Sequence, residues 1–312
     1  MVKSASILTR KAISTLESCV FCQFRRPIQP PIQRASTSTS TSAQTPPPSK
    51  KPKPSNKPDE DHNPKPLDRP LGQRKPPRAG ENRGTDTRTW RQRRDDFFNY
   101  DKHLERRRQL TQGLAKPYFR EWTNMRYHKG KTFVSNPRLF RADKALYFPN
   151  LQGITLATPR QLCDTTPVLK DRVSIVSVFS ETWAERQVAT FVGEKENPEL
   201  QAVLREGKGV AQRVEINYEP SAIKAALIRL FMPGLRRRMD KDAHGRYFVV
   251  RRGVTEEMRD DVGWINSKVG YVYLVDRECK IRWAGSGRAE AGEKAGLVAG
   301  VRRLVEEYKK KP

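Results

Sequence analysis

Residues 150–312 are predicted to form an α/β domain. Val173–Phe179 is a near-continuous apolar run rich in Val and Ile, as is typical of a strand buried in the centre of a sheet. Tyr271–Val275 and residues 281–284 are two shorter β-rich runs separated by a polar loop, which indicates a hairpin. A charged, Ala-rich segment at 289–309 then has the composition of a helix. A hairpin followed by a terminal helix ends several α/β folds.

The elements between these landmarks alternate. A helix is predicted over residues 183–205 and a second strand over 210–218. A second helix is predicted over 221–239, interrupted at Pro233-Gly234 and followed by an insertion through Ser267. The complete order is β-α-β-α-β-β-α, which is that of a thioredoxin-like fold. The crossover between its first two strands is expected to be right-handed.

The chemistry usual to that fold is missing from the sequence. A redox enzyme of this kind places its nucleophilic cysteine just after the first central strand, where the helix dipole stabilises a thiolate. Here that stretch is Ser180-Glu-Thr-Trp-Ala-Glu-Arg186, which contains no cysteine and puts the negative charge of Glu181 in its place. The proline expected before the hairpin is also missing from Lys268-Val-Gly270. We therefore expect no disulfide exchange.

The four cysteines do not restore that chemistry. Cys19 and Cys22 have the spacing of a redox motif, but no strand precedes them and they fall in a segment with the features of a targeting sequence. Cys163 and Cys279 are single thiols, which we interpret as small, half-buried hydrophobic residues.

No cofactor or metal is expected either. The histidines are scattered and outside any metal-ligand spacing. They are His62, His103, His128 and His244. Gly285-Ser-Gly287 could hold an anion at a helix N-terminus, but it lacks the following Lys-Ser/Thr of a phosphate-binding loop. We interpret it as a tight strand-to-helix turn.

The positive charge is concentrated before residue 146. The formal net charge is +26, and basic residues outnumber acidic ones by 17 to 7 over 1–90, by 15 to 6 over 91–145 and by 29 to 22 over 146–312. Such a field attracts nucleic acid, anionic lipid or an acidic protein. No run of 18 apolar residues occurs, so a transmembrane helix is not predicted and any work at a membrane would be done from its surface.

Residues 1–34 are predicted to be a mitochondrial transit peptide. They carry six basic residues against the single acid Glu17, and apolar residues recur at helical spacing. The alternative is a disordered basic tail. Residues 35–90 contain a Ser/Thr run and many of the chain's prolines, and they are predicted to be a disordered linker because they cannot bury enough apolar surface.

Residues 91–149 are predicted to be a basic, aromatic arm that begins with a helix over 91–110. Aromatic and basic side chains alternate from Pro117 to Lys131. Such a mixture suits base stacking, an anionic membrane surface or a protein partner, and the arm could also fold back across the domain. The candidate binding residues are Arg120, Trp122, Arg126, Tyr127, Lys129 and Lys131.

The helix predicted over 221–239 supplies a second candidate surface. Its apolar residues could serve binding, although we favour a helix that packs on the sheet. They are Ile223, Leu227, Leu230 and Phe231. Beyond Pro233 three consecutive arginines are expected to face outward, where each could contact lipid headgroups. They are Arg236, Arg237 and Arg238.

Five motifs together resemble the mitochondrial ATP synthase assembly factor family that acts on subunit a (subunit 6) of the Fo sector. They are Asp101-Lys-His-Leu-Glu105, Pro117-Tyr-Phe-Arg-Glu-Trp122, Lys144-Ala-Leu-Tyr-Phe-Pro-Asn150, Gly270-Tyr-Val-Tyr-Leu-Val-Asp276 and Ile281-Arg-Trp-Ala-Gly-Ser-Gly287. We take Tyr118, Phe119, Asp276, Arg282 and Trp283 as the positions that carry the resemblance. Asp276 also opens the hairpin loop, where its side chain can close a turn, and Arg282 and Trp283 are expected in the scaffold or on a docking surface.

The resemblance implies a thioredoxin-like protein that is not an enzyme. It would lie peripherally on the matrix face of the mitochondrial inner membrane, bind newly made subunit a and promote its association with the c-ring. It supplies no catalytic residues.

Two other functions stay open from the sequence. An RNA- or ribosome-binding protein of the mitochondrion would use the basic arm, although no nucleic-acid-binding module is visible and no specific nucleic acid is expected as a partner. A divergent thiol oxidoreductase would need the cysteines that are missing.

Overall fold

The structure is a computed structural model that describes residues 64–82, 84, 89–98, 104, 107, 125 and 130–310. The predicted transit peptide at 1–34 lies outside the described residues, and so does most of the predicted arm. The first helix of the described chain, α1, is Trp90–Phe98, within the predicted arm.

The described domain is built on a seven-stranded sheet of order β2-β1-β5-β4-β3-β6-β7. The strands are β1 Gln152–Thr155, β2 Leu162–Asp164, β3 Val173–Phe179, β4 Ala211–Tyr218, β5 Tyr247–Val250, β6 Tyr271–Val275 and β7 Ile281–Ser286. The remaining helices are α2 Thr166–Leu169, α3 Thr182–Val192, α4 Pro198–Glu206, α5 Ala222–Arg238, α6 Glu256–Asp261 and α7 Ala291–Lys310, with a 3-10 helix at Lys241–Arg246.

The predicted fold class and element order are confirmed. β3 lies at the centre, parallel to β4 and antiparallel to β6, and β6 and β7 form the predicted hairpin. α3 and α4 connect β3 to β4, α5 follows β4, and α7 follows β7. This is the thioredoxin-like order β-α-β-α-β-β-α.

The insertion predicted through Ser267 contains a strand that was not recognised in the sequence. This strand, β5, pairs in parallel with β4, and β1 and β2 were also missed. These strands are three or four residues long, too short for a periodic pattern to distinguish them from a loop. β5 pairs with β1 and β4, both of which lie far from it in the sequence, so this pairing could not be predicted from local pattern.

Two helix predictions also need correction. The single helix predicted over 183–205 is two helices, because α3 ends at Gly193 and α4 begins after Asn197. The Asn197 side chain accepts from Leu200 N at 3.2 Å, and Pro198 supplies the fixed φ of a first helical position. The predicted interruption at Pro233 does not occur, since α5 continues through it and forgoes the one hydrogen bond that a proline cannot donate.

The hairpin loop closes as predicted. Asp276 Oδ1 accepts from Glu278 N at 3.0 Å and from Lys280 N at 2.9 Å. Cys279 occupies the left-handed position of the turn, with φ 64°. Just beyond it the register shifts: Leu274 pairs with Trp283 and Val275 with Ile281. Arg282 is therefore the extra residue of a β-bulge.

Both faces of the sheet are apolar and both are covered. α3, α4 and α7 cover one face with a buried cluster that includes Phe191, Leu200, Val301 and Trp283. The opposite face is covered mainly by short helices and non-helical segments. Their buried side chains are Leu71, Phe133, Phe148, Leu151, Leu169, Val262 and Trp264.

Residues 130–148, which we name the strap, run along the outer edge of β7. Phe133 N donates to Ser286 Oγ at 3.0 Å, and Ser286 Oγ donates to Phe133 O. Further along, Phe140 N donates to Arg282 O at 2.8 Å, and Arg282 Nε donates back to Phe140 O at 2.6 Å. The strap therefore occupies hydrogen-bonding groups that an edge strand would leave exposed.

The strap corrects the predicted boundary between an arm at 91–149 and a domain at 150–312, because its buried residues belong to the domain core. The predicted linker at 35–90 was likewise wrong for residues 64–73. Leu67 N donates to Val134 O at 2.9 Å, Gln73 N donates to Tyr147 O at 2.8 Å, and Leu71 is buried. The proline-rich composition of this segment predicted a linker. The burial of Leu71 and the main-chain hydrogen bonds nevertheless hold the segment on the domain.

Lys131, predicted as a surface contact for a partner or membrane, is instead buried. Its Nζ lies 2.7 Å from Glu293 Oε2 and 2.8 Å from Glu290 Oε1 near the start of α7, and its side chain is 8% exposed. Glu293 also accepts from Ser135 N and Glu290 N. This ion pair fastens the beginning of the strap to α7, so Lys131 is not available to a partner.

We expect Lys131→Met to lower the free energy of unfolding by about 3–5 kcal/mol, because it leaves the buried carboxylate of Glu293 without its cation. Chemical denaturation measures the change. Arg303→Met is the matched control: Arg303 pairs with Glu307 at 3.2 Å on the exposed side of α7, and its loss should cost about 0–1 kcal/mol. Glu293→Gln added to Lys131→Met should recover part of the stability. Equal losses for Lys131→Met and Arg303→Met would contradict this role.

Candidate functional site

A thioredoxin-like redox enzyme places its nucleophilic cysteine at the N-terminus of the helix after the first central strand. In this protein the side chains there, Ser180 and Glu181, contact other parts of the domain. Ser180 follows β3 and its hydroxyl donates to Ser267 O. Glu181 is the N-cap of α3. Its carboxylate lies 3.4 Å from Lys224 Nζ on α5, which joins the N-terminal ends of the two helices. The strap begins at the same place, since a Cβ on Gly130 would lie 3.4 Å from the Trp183 ring.

The two cysteines within the described residues are far from that position in the fold. Cys279 is buried in the hairpin turn, and burial raises the pKa of its thiol to about 12. Cys163 on β2 is half-buried, with its sulfur 3.0 Å from Thr158 Oγ1. Cys279 is thus more deeply buried than the sequence suggested, and its thiol stays protonated at neutral pH.

Three of the positions that carry the family resemblance are scaffold residues. Arg282 is buried, and its Nη1 lies 3.3 Å from both Asp276 Oδ2 and Glu307 Oε2. Burial raises the pKa of the Asp276 carboxyl above its ordinary value, although Arg282 and the turn amides oppose that shift. Trp283 is buried against Phe191 with ring centroids 5.9 Å apart. These contacts join the hairpin, the strap and α7. Arg282 and Trp283 were expected either in the scaffold or on a docking surface, and they belong to the scaffold.

The other predicted site residues before Gly130 lie outside the described residues. They are Tyr118, Phe119, Arg120, Trp122, Arg126, Tyr127 and Lys129. Their proposed contacts with a partner or lipid stay predictions.

The main candidate surface is the outward side of α5. Four apolar side chains, at spacing i, i+4, i+7 and i+8, form one stripe along the helix. They are Ile223, Leu227, Leu230 and Phe231. Their exposed fractions are 77%, 50%, 71% and 65%. We name these four residues the α5 apolar face. The helix packs on the sheet as predicted, but through other residues, and these four side chains face outward.

A different set of side chains holds α5 to the domain. Ala225 and Met232 are buried, while Ile228 and Leu235 are half-buried against the core. These residues are spaced by three or four and make a second apolar stripe. The helix is apolar on two sides, and the sequence alone did not show which side the sheet would take. The stripe that contains Ala225 faces the sheet, and the stripe that contains Phe231 faces outward.

Cations border the α5 apolar face. Lys224, Arg229, Arg237 and Arg238 are exposed. Arg236 differs from its two neighbours, because its guanidinium donates to the carbonyls of Leu156 and Ala157 after β1. The prediction of three outward arginines therefore holds for Arg237 and Arg238, while Arg236 anchors the end of the helix.

Within the described residues, no group of three or more His, Cys, Asp or Glu side chains is placed to hold a metal ion. No helix in the described part of the chain is both long enough and apolar enough to cross a membrane.

Comparison with known proteins adds relatives of similar length. The model of the ATP10 protein family matches residues 50–304. A protein of Eremothecium gossypii named mitochondrial ATPase complex subunit ATP10 is 32% identical over 212 residues, which cover 67% of this chain and 76% of that protein. The protein of that name from Candida glabrata is 30% identical over 251 residues, covering 80% and 88%. That from Saccharomyces cerevisiae is 28% identical over 218 residues, covering 67% and 77%.

The similarity to solved structures is distant. A secreted thiol-disulfide isomerase from Corynebacterium glutamicum is 12% identical with a TM-score of 0.36, covering 57% of this chain and 99% of that chain. A similarity of this size adds nothing to the topology described above.

In a chain carrying Cys19→Ser and Cys22→Ser, we expect one thiol to react with Ellman's reagent at pH 8 in the native state and two after denaturation. A thiol with a pKa of about 12 is ionised to about one part in ten thousand at pH 8, and Cys279 is also buried. Cys163→Ser should remove the native reaction. Two thiols reacting at similar rates without denaturant would contradict the placement of Cys279.

Proposed function

The chain belongs to the ATP10 protein family, and from that membership we infer that it is an assembly factor for the mitochondrial ATP synthase. Membership confirms the family resemblance found in the sequence motifs. The proposed task is to bind newly made subunit a of the Fo sector and to promote its association with the c-ring, without catalysis. The proposed location is the matrix side of the inner membrane, held peripherally.

The α5 apolar face is the observation that carries the proposal. Four large apolar side chains on one side of a helix, bordered by cations, match a helix that lies in a membrane interface. We assign anionic lipid as the occupant, because the exposed Lys224, Arg229, Arg237 and Arg238 would meet negatively charged headgroups. Each such cation contributes about 1 kcal/mol near an anionic surface, and each large apolar side chain about 1.5–3 kcal/mol when fully buried.

A surface-bound domain fits a client that is itself a membrane protein. Subunit a is a hydrophobic protein of the membrane sector, so a factor held flat on the same bilayer would meet it there. The predicted aromatic, basic arm leads into the strap at Gly130, beside Trp183 and near the N-terminal end of α5. We propose that the arm contacts the client or the headgroups next to it.

The absence of catalysis is proposed from the structure of the α3 N-terminus. Ser180 donates to a main-chain carbonyl and Glu181 pairs with Lys224, so this end of the helix serves packing. The thiol of Cys279 is buried and protonated. Neither offers the exposed thiolate that disulfide exchange requires.

We expect the double variant Leu230→Asp, Phe231→Asp to weaken binding to vesicles of phosphatidylcholine with phosphatidylglycerol tenfold or more, because two apolar contacts are replaced by charges that the headgroups repel. Flotation of the full chain with vesicles measures the loss. Leu162→Asp is the matched control, since Leu162 on β2 is as exposed as Leu230, at 71%, but is not part of the α5 apolar face. Unfolding midpoints should stay close to wild type in both. Unchanged flotation of the double variant would refute the lipid assignment.

In cells lacking the gene, we expect subunit a to be depleted from the ATP synthase while the catalytic head sector assembles normally. The wild-type chain and Leu162→Asp should restore subunit a, and Leu230→Asp, Phe231→Asp should not. Crosslinking in isolated mitochondria with labelled newly translated products should capture subunit a. Normal Fo assembly without the gene, or capture of ribosomal RNA in place of subunit a, would refute the proposed function.

A further inference from the structure

A large open cleft lies at the end of the sheet where the three parallel strands begin. Its volume is about 1460 Å³, and it is bounded by α4, the end of α5 and the 3-10 helix at Lys241–Arg246. Ligand sites of proteins commonly enclose roughly 300–1,000 Å³. The cleft is therefore wide enough to admit a small molecule or the head of a larger one.

Three arginines meet in this cleft because of the strand register. Arg172 directly precedes β3, Arg246 directly precedes β5, and Arg213 is the third residue of β4 between them. All three line the cleft. In the parallel pairing Val173 lies opposite Ala211 and Tyr247 lies opposite Glu215. Arg246 is therefore level with Val214, next to Arg213, and Arg172 lies just before the start of β4, so strand pairing brings together cations that are far apart in the sequence.

Two of the arginines have donors without partners among the described residues. They are the buried Nε atoms of Arg213 and Arg246, and a buried charged donor left unpaired is costly. Arg213 has one carboxylate, with its Nη2 3.0 Å from Glu215 Oε1. Burial lowers the pKa of the Arg246 guanidinium, and the charges of Arg172 and Arg213 lower it further while Asp242 opposes them. The cluster is thus a set of mutually repelling cations that a bound anion would stabilise.

We propose that this cleft binds a phosphate group through Arg172, Arg213 and Arg246. A guanidinium donates through a planar fork that matches phosphate oxygens, and a tetrahedral phosphate offers oxygens to three such forks at once. A carboxylate has two oxygens and would satisfy fewer donors. Carboxylates of Glu194, Glu215, Asp240 and Asp242 also line the cleft, which disfavours a long polyanion such as RNA and favours a single phosphate monoester or diester.

The phosphate could be free in solution or belong to a lipid headgroup. Arg238, at the end of α5, also lines the cleft, so the site lies near the C-terminal end of the helix that we place on the membrane. The proposal uses residues separate from the α5 apolar face. Its failure would leave the proposed function intact.

The test measures binding of inorganic phosphate to the full chain by isothermal titration, at constant ionic strength set with chloride. We expect saturable binding that Arg213→Gln and Arg246→Gln each weaken tenfold or more, the effect of losing a charge-assisted hydrogen bond. Arg302→Gln on the exposed side of α7 is the matched control and should bind as wild type. Without phosphate, Arg246→Gln should melt at the wild-type temperature or higher, because it removes a repelling charge.

Vesicle flotation separates the two sources of phosphate. If the headgroup is the ligand, inorganic phosphate should reduce binding to phosphatidylglycerol vesicles, and Arg213→Gln should reduce it as well. If the ligand is a free phosphate compound, Arg213→Gln should bind vesicles normally and still lose phosphate. Either result supports the site. No saturable phosphate binding by wild type, or cluster variants that bind phosphate as wild type does, would overturn it, as would a lower melting temperature of Arg246→Gln with unchanged phosphate binding.

Discussion

The structure depends on the need to cover a sheet that is apolar on both faces and open at one edge. Helices α3, α4 and α7 cover one face, but much of the opposite face is covered by non-helical chain that includes the strap. Apolar burial alone would not align such a segment. Buried polar contacts do: Lys131 pairs with Glu293, Ser286 bonds Phe133, and Arg282 bonds Phe140. A polar network of this kind specifies one register because each member has its partners only there.

The strap and α5 also explain why the N-terminus of α3, the usual reaction site of this fold, serves packing in this protein. The strap begins at Gly130 beside Trp183, and Lys224 of α5 pairs with Glu181. Groups that would face a substrate in a redox enzyme are used to join α3, α5 and the strap. The exposed apolar area lies instead on α5, and a cluster of arginines lines the cleft at the opposite end of the parallel strands. Both suit binding rather than electron transfer.

The sequence was sufficient wherever a long segment had one pattern. Val173–Phe179, the hairpin, Asp276 as its turn residue and the final helix were all predicted near their observed positions. The family resemblance came from motifs that include Arg282 and Trp283, both of which are buried in the structure. The sequence failed for β1, β2 and β5, which are short, and for Lys131, which looked like one more surface cation among many.

What the sequence determined by itself was the order of elements, the lack of a nucleophile at Ser180 and the excess of positive charge. Which side of α5 faces the sheet was decided by tertiary packing, since both sides are apolar and the sheet accommodated the smaller Ala225. The meeting of Arg172, Arg213 and Arg246 was likewise decided by strand pairing. A pattern in the sequence depends on residues that are neighbours along the chain. A binding surface is formed by residues that come together only when the chain folds.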